Sequence, residues 1–275
     1  MRLYRRGGKV GDVRMELLPK WVVLHVPHHS SEIPEVIAGQ FLLDAEGLRR
    51  EVIRMTDHLT LPLFAGDENS ERIVVAPVSR LVVDVERFPN DQDEPMSQRG
   101  MGVIYSHTAD GLPLRCPVSD EDRQTLLDEF YAPHHDRLIS AVRKVLESCV
   151  NCLIIDAHSF PSMPLPYEND QEVVRPDICI GTDNFHTPDK IRAAFIEHFA
   201  QEGFSVSENR PFAGAMVPAP YYREERRVMS IMVEVNRGLY IDEDTGLANS
   251  DFGSVSDRVR RACRLACEQS LDGGR

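Results

Sequence analysis

Residues 21–34 read WVVLHVPHHSSEIP, and the fold is decided there. The run Trp21–Val26 is rich in β-branched and aromatic residues and stops at Pro27, the signature of a short buried strand. His28, His29 and Glu32 follow at once. In open α/β sheets, ligands gather outside the carboxyl ends of the strands, so these side chains are delivered where such folds bind things. Imidazole with carboxylate is the usual ligand set for zinc. The stretch therefore reads as the first half of a metal site.

Two further apolar runs end in the same manner. Cys152–Ala157 closes on Asp156-Ala157-His158-Ser159, and Met229–Val235 carries Glu234 near its end. Arg72–Pro77 and Leu81–Val85 are valine-rich and also read as strands. Glu35–Phe64 has apolar residues at helical spacing and reaches Thr56-Asp57-His58. Ser119–Glu147 is the clearest helix, with Ser119 and Asp122 in capping-box relation and Leu127, Phe130, Leu138, Val142 and Val145 on one face. Asp177–Gly181 and Phe204–Val206 read as short strands, and Pro188–Gln201 and Ser254–Ser270 as helices. Alternating strands and helices predict an α/β fold with a mostly parallel or mixed central sheet and helices on both faces. Met1–Lys20 is expected to be a loosely held arm on one α/β domain spanning residues 1–275.

The totals narrow the function. At 275 residues and 42% hydrophobic content a sizeable core can form. A formal net charge of −13 argues against a nucleic-acid binder or a basic membrane-surface protein, although local arginines can still favour an anionic substrate. No apolar run approaches the roughly 18–20 residues that span a bilayer, and the N-terminus has no apolar leader segment. A cytoplasmic setting with free thiols is expected, and the C-x-x-C pair Cys149/Cys152 reads as structural.

A catalytic zinc site needs three protein ligands, an open position, and a carboxylate nearby to take a proton from water. His28, His158 and one carboxylate, Glu32 or Asp57, can supply the ligands, with Glu234 as the base. Asp156 points the same way as His158 along a strand and can hold its other ring nitrogen. His134, His186 and His198 read as structural, whereas His135 is the helix histidine expected nearest the site. Arg80 and Arg87 bracket a valine-rich strand containing Asp84, and arginine suits two-pronged capture of carboxylates. Arg99, in the aperiodic segment Phe88–Tyr105, and Arg210, near Gly214, are further candidates for substrate binding.

Together these pieces resemble a family. Pro27-His28 with Ile33-Pro34, Thr56-Asp57, Ser79-Arg80-x-Val-Val-Asp84-x-x-Arg87, Asp156-Ala-His158-Ser159, Pro-Asp177-x-x-x-Gly181-Thr182, Arg210-x-Phe212-x-Gly214 and Glu234 are similar in order and spacing to the N-formylglutamate amidohydrolases, over about residues 20–270. The resemblance implies a phosphorylase/hydrolase-like fold related to zinc carboxypeptidases, and hydrolysis of an amide in a small N-acyl amino acid such as N-formylglutamate, a step of histidine degradation. It implies Zn2+ or another divalent metal held by His28, Asp57 and His158, with Glu234 as general base and Arg80 and Arg87 on substrate carboxylates or the oxyanion. A carboxypeptidase-like H-x-x-E reading would choose His29 and Glu32 instead. Three positions depart from the family pattern: His29-Ser30 where Ser-Gly is usual, His58 where tryptophan is common, and Glu86 where asparagine precedes the second arginine. Glu86 adds a negative charge that would oppose a dianionic substrate if it faced inward. Rival readings are another N-acyl amino acid hydrolase on the same metal centre, and a non-catalytic anion-binding protein.

Overall fold

The computed structural model describes residues 18–271. The expected arm over Met1–Lys20 falls outside these residues except at 18–20. In chain order the main elements are β1 (Val22–Val26), α1 (Glu35–Ala38), α2 (Ala45–Met55), α3 (Thr60–Ala65), β2 (Ile73–Val75), α4 (Asp120–Leu126), α5 (Ala132–Ser148), β3 (Cys152–Phe160), β4 (Ile178–Gly181), α6 (Asp189–Gln201), β5 (Val206–Glu208), β6 (Val228–Asn236), and α7 (Phe252–Leu271). Strands β1 to β6 form one sheet in the order β2-β1-β3-β6-β4-β5. β2, β1, β3 and β6 run parallel, and β4, itself parallel to β5, runs antiparallel to β6. The sheet is thus mixed and mostly parallel, flanked by helices, as the alternating pattern predicts.

The central strands are buried along their whole length, which is why they read as continuous apolar runs. Val22, Val23, Leu153, Ile154, Ile155, Ile231 and Val233 form their core with Leu138 and Val142 of α5 and Phe195, Val259 and Cys263 of the later helices. Cys152 belongs to this core, and burial pushes its thiol up to about 12. All six cysteines are free.

One expectation needs correction. Leu81–Val85 is not a strand: its backbone is held by Val82 N to Ser79 O and by Asp84 N to Val103 O, within a turn-rich excursion. The valines are buried all the same, in a second core with Met55, Met101, Val103, Tyr105 and Leu114. Strand propensity here registered burial rather than pairing. The helical spacing over Glu35–Phe64 is divided among three helices and runs on past His58. Asp44 restarts the chain as the N-cap of α2, accepting from Gly47 N at 2.7 Å, and Leu59 at φ 60° breaks it again before α3.

The long helix begins as predicted, with Ser119 Oγ accepting from Asp122 N at 3.1 Å. It passes through a π-type turn over Leu127–Tyr131, then continues as α5. That turn resets the helix face immediately before His134 and His135.

Candidate metal centre

The site is assembled at the carboxyl ends of β1, β3 and β6. Register puts His25 opposite Asp156, and His158 opposite Glu234. Asp156 and His158, two apart on β3, share one face, so His25, Asp156, His158 and Glu234 form a row across three strands. His28 follows β1 directly, and Asp57 N donates to His28 O at 2.9 Å, which ties the end of α2 to the end of β1.

Each of two imidazoles is held from behind by a carboxylate. His28 Nε2 lies 2.8 Å from Asp84 Oδ1, and His158 Nε2 lies 3.1 Å from Asp156 Oδ1. Ionised carboxylates only accept, so both Nε2 atoms carry hydrogen, and in the neutral rings both Nδ1 atoms are lone pairs. Those two Nδ1 atoms face one another at 3.3 Å. Asp57 Oδ2 joins them, 3.3 Å from His158 Nδ1 and 3.8 Å from His28 Nδ1. Three electron-pair donors, all buried, converge within 4.8 Å of one another. Such a donor set fits a cation, and the carboxylate–imidazole pairs behind it are the arrangement metal-binding histidines commonly require.

The electrostatics agree. Burial drives the His28 ring well toward neutrality, with Arg80 assisting. Burial opposes charge on His158 too, but Glu86 and Asp156 outweigh it and raise its pKa. The pair is therefore disposed to hold a single positive charge between them. Asp57 stays ionised against its burial because His158 and Arg237 favour the charge. Asp84 is held well below the usual carboxylate range by Arg80 and His28, again against burial.

Glu234 is buried beside His158, and its Oε2 has no hydrogen-bond partner. Burial, with Asp57 and Glu86 adding to it, pushes its carboxyl up to about 8 although His158 pulls the other way. Arg80 donates to Asp84 Oδ2 at 2.8 Å through Nη2, and to Tyr105 Oη at 3.0 Å through Nε. Its Nη1 has no hydrogen-bond partner among the described residues. Arg87 lies 3.5 Å from Asp84 Oδ2.

Other candidates are occupied elsewhere. Glu32 is exposed and His29 only half-buried, and neither joins the three converging donors. Arg99 bonds to the Tyr167 carbonyl and, at 2.8 Å, to Asn169 Oδ1, tying two loops together. Arg210 is exposed and paired with Asp170 at 2.6 Å. Gly214, at φ 99°, sits in the loop whose Met216 N donates to Asp156 Oδ2 at 2.9 Å. His135 Nε2 donates to Val85 O at 2.9 Å and makes no bond to the cluster. The helix histidine that reaches inward is His134, contrary to the sequence reading.

Four contributors went unassigned in the sequence. His25 Nδ1 lies 2.8 Å from Asp156 Oδ1, and His25 Nε2 lies 2.8 Å from His134 Nε2. A histidine inside an apolar five-residue strand was the available signal. Arg237 is buried, and its Nη2 donates to Asp57 Oδ1 at 2.7 Å while its Nε donates to Ser159 Oγ at 3.1 Å. Glu86 does face inward, 3.2 Å from His158 Nε2.

Among solved structures, the chain is similar to the crystallised N-formylglutamate amidohydrolase from Ralstonia eutropha JMP134, at 19% identity and TM-score 0.74 over 94% of this chain and 98% of that one. It is also similar to a gene product of Agrobacterium tumefaciens, at 17% identity and TM-score 0.62 over 92% and 91%. At such identities the likeness establishes the fold. No curated protein matches. The family model described as N-formylglutamate amidohydrolase matches residues 21–241, a span that includes every residue of the cluster, and the chain belongs to that family of hydrolases.

Proposed function

We propose that this protein is a zinc-dependent amidohydrolase acting on a small N-acyl amino acid of the N-formylglutamate type. The observation that carries the proposal is the convergence of His28 Nδ1, His158 Nδ1 and Asp57 Oδ2 beside an unpartnered Glu234 carboxyl oxygen. His28, Asp57 and His158 hold the metal. A divalent cation bound there supplies polarisation of the acyl carbonyl and a water acidic enough to ionise near neutral pH.

The remaining work falls to the chain. Glu234 takes the proton of the attacking water and returns it to the departing amine nitrogen. Its burial raises its hold on a proton, which a group that must take one from water and pass it on requires. Asp84 and Asp156 keep the two imidazoles in the tautomer that offers Nδ1. Arg80, anchored by Asp84 and Tyr105, offers its outer edge to a substrate carboxylate or to the developing oxyanion, and Arg87 stands beside it.

Elemental analysis of protein purified without chelator tests the metal. Assays on formyl-, acetyl- and succinyl-amino acids test the substrate class. One equivalent of divalent metal with turnover of a formyl-amino acid is the expected result, and no bound metal with no turnover of any acyl group would leave the anion-binding reading instead.

A further inference from the structure

The carboxylates behind the two imidazoles are not equivalent in charge. Asp57 is neutralised by Arg237 at 2.7 Å, and Asp84 by Arg80 at 2.8 Å. Asp156 has no such partner: its oxygens accept from His25, His158 and Met216 N. Glu86 has none either, and its neighbours are three imidazoles. Glu86 Oε2 lies 3.2 Å from His158 Nε2 and 4.0 Å from His28 Nε2, and Oε1 lies 3.6 Å from His25 Nδ1. Oε1 is buried without a hydrogen-bond partner. Glu86 N donates to Asp84 Oδ1 at 3.1 Å, which fixes the backbone from which the side chain turns inward.

Among the described residues, Asp156 and Glu86 thus have no arginine or lysine partner, and the side chains they face are the imidazoles themselves. Uncompensated carboxylates in a buried cluster are costly, and a bound cation relieves the cost. We infer that Glu86 is a positioning residue whose charge, acting through His158 and His28, strengthens the hold on a divalent metal. This inference rests on the proposed metal site. It also gives the inward-facing Glu86 a role other than repelling substrate, since the carboxylate lies on the Nε2 side of both rings, away from the converging Nδ1 atoms. The side chain is 17% exposed, so a neutral replacement is compatible with the fold.

The test is competition for Zn2+ between the metal-stripped full chain and a chromogenic chelator, with Glu86→Gln and Glu86→Asp compared with wild type. Outer carboxylates of this kind typically contribute about 10–100-fold to metal affinity, and E86Q is expected to lose that much while E86D stays close to wild type. Unchanged affinity in E86Q, or equal losses in E86Q and E86D, would overturn the inference and leave the metal site standing. A wild-type chain that takes up no divalent metal would overturn both.

Discussion

His28 Nδ1 and His158 Nδ1 lie 3.3 Å apart across 130 residues of chain. The contact calls for something positive between the rings, a proton or a metal ion. Replacing either histidine by alanine should reduce bound divalent metal from stoichiometric to background in elemental analysis. Retention of one equivalent by both variants would put the metal elsewhere.

Glu234 carries the proposed proton transfer, so E234Q should keep its metal and lose about 10²–10⁴-fold in kcat. The same residue makes a separate prediction for the metal-stripped protein. The folded chain keeps the Glu234 proton up to about pH 8, whereas the unfolded chain releases it near 4.5. Between those values the unfolded state binds fewer protons, so stability falls as pH rises, by at most about 1.4 kcal/mol per pH unit. Denaturant titrations of stripped wild type and E234Q should differ by this slope, with the variant flatter.

Arg237 has no exposed alternative partner. It is buried against Asp57, Ser159 and the Arg54 carbonyl. R237M should destabilise the protein by about 3–5 kcal/mol, the usual cost of leaving one member of a buried pair alone, and should also weaken metal binding by freeing Asp57 to rotate. Urea midpoints and chelator competition read the two effects separately.

His134 predicts acid sensitivity. Its ring is buried, and burial with the neighbouring His25 lowers its pKa to about 2. In the unfolded chain it takes a proton near 6.5. Below that pH the unfolded state binds more protons, so stability is lost as the pH falls. H134Q, which keeps a donor toward His25, should lose less stability than wild type between pH 6.5 and pH 4 in thermal melts.

Gly181 lies in β4 against the loop that supports Asp156. A Cβ there would overlap the Gly214 carbonyl oxygen and the Met232 side chain. Met232 can turn aside, but the backbone oxygen can move only with its loop. G181A should therefore disturb the Met216 N to Asp156 contact and lower metal affinity, with the sheet itself retained by circular dichroism.

What could be seen in the sequence followed from how each residue is buried. β1 and β3 were legible because both faces of each are covered, which makes them unbroken apolar runs ending in polar side chains. His28 and His158 stood out for the same reason: each follows or ends such a run. Leu81–Val85 was misread because a buried loop core and a buried strand select the same valines. Asp57 could be preferred to Glu32 only through the family resemblance, since spacing permits both. His25 and Arg237 were missed because their value lies in partners 131 and 180 positions away. Nothing local distinguishes a histidine that faces Asp156 from one that faces solvent. The π-type turn just before His134 was also invisible in the sequence.

The donors and their supports come from stretches around His25, Asp57, Asp84, Asp156 and Glu234, and no two neighbouring stretches are enough to build the pocket. A newly made chain thus has nowhere to lodge an ion until β1 has docked against β3 with the end of α2 tied beside them. Metal uptake during refolding should then trail the recovery of native fluorescence, acting as a seal on finished architecture rather than a seed for it.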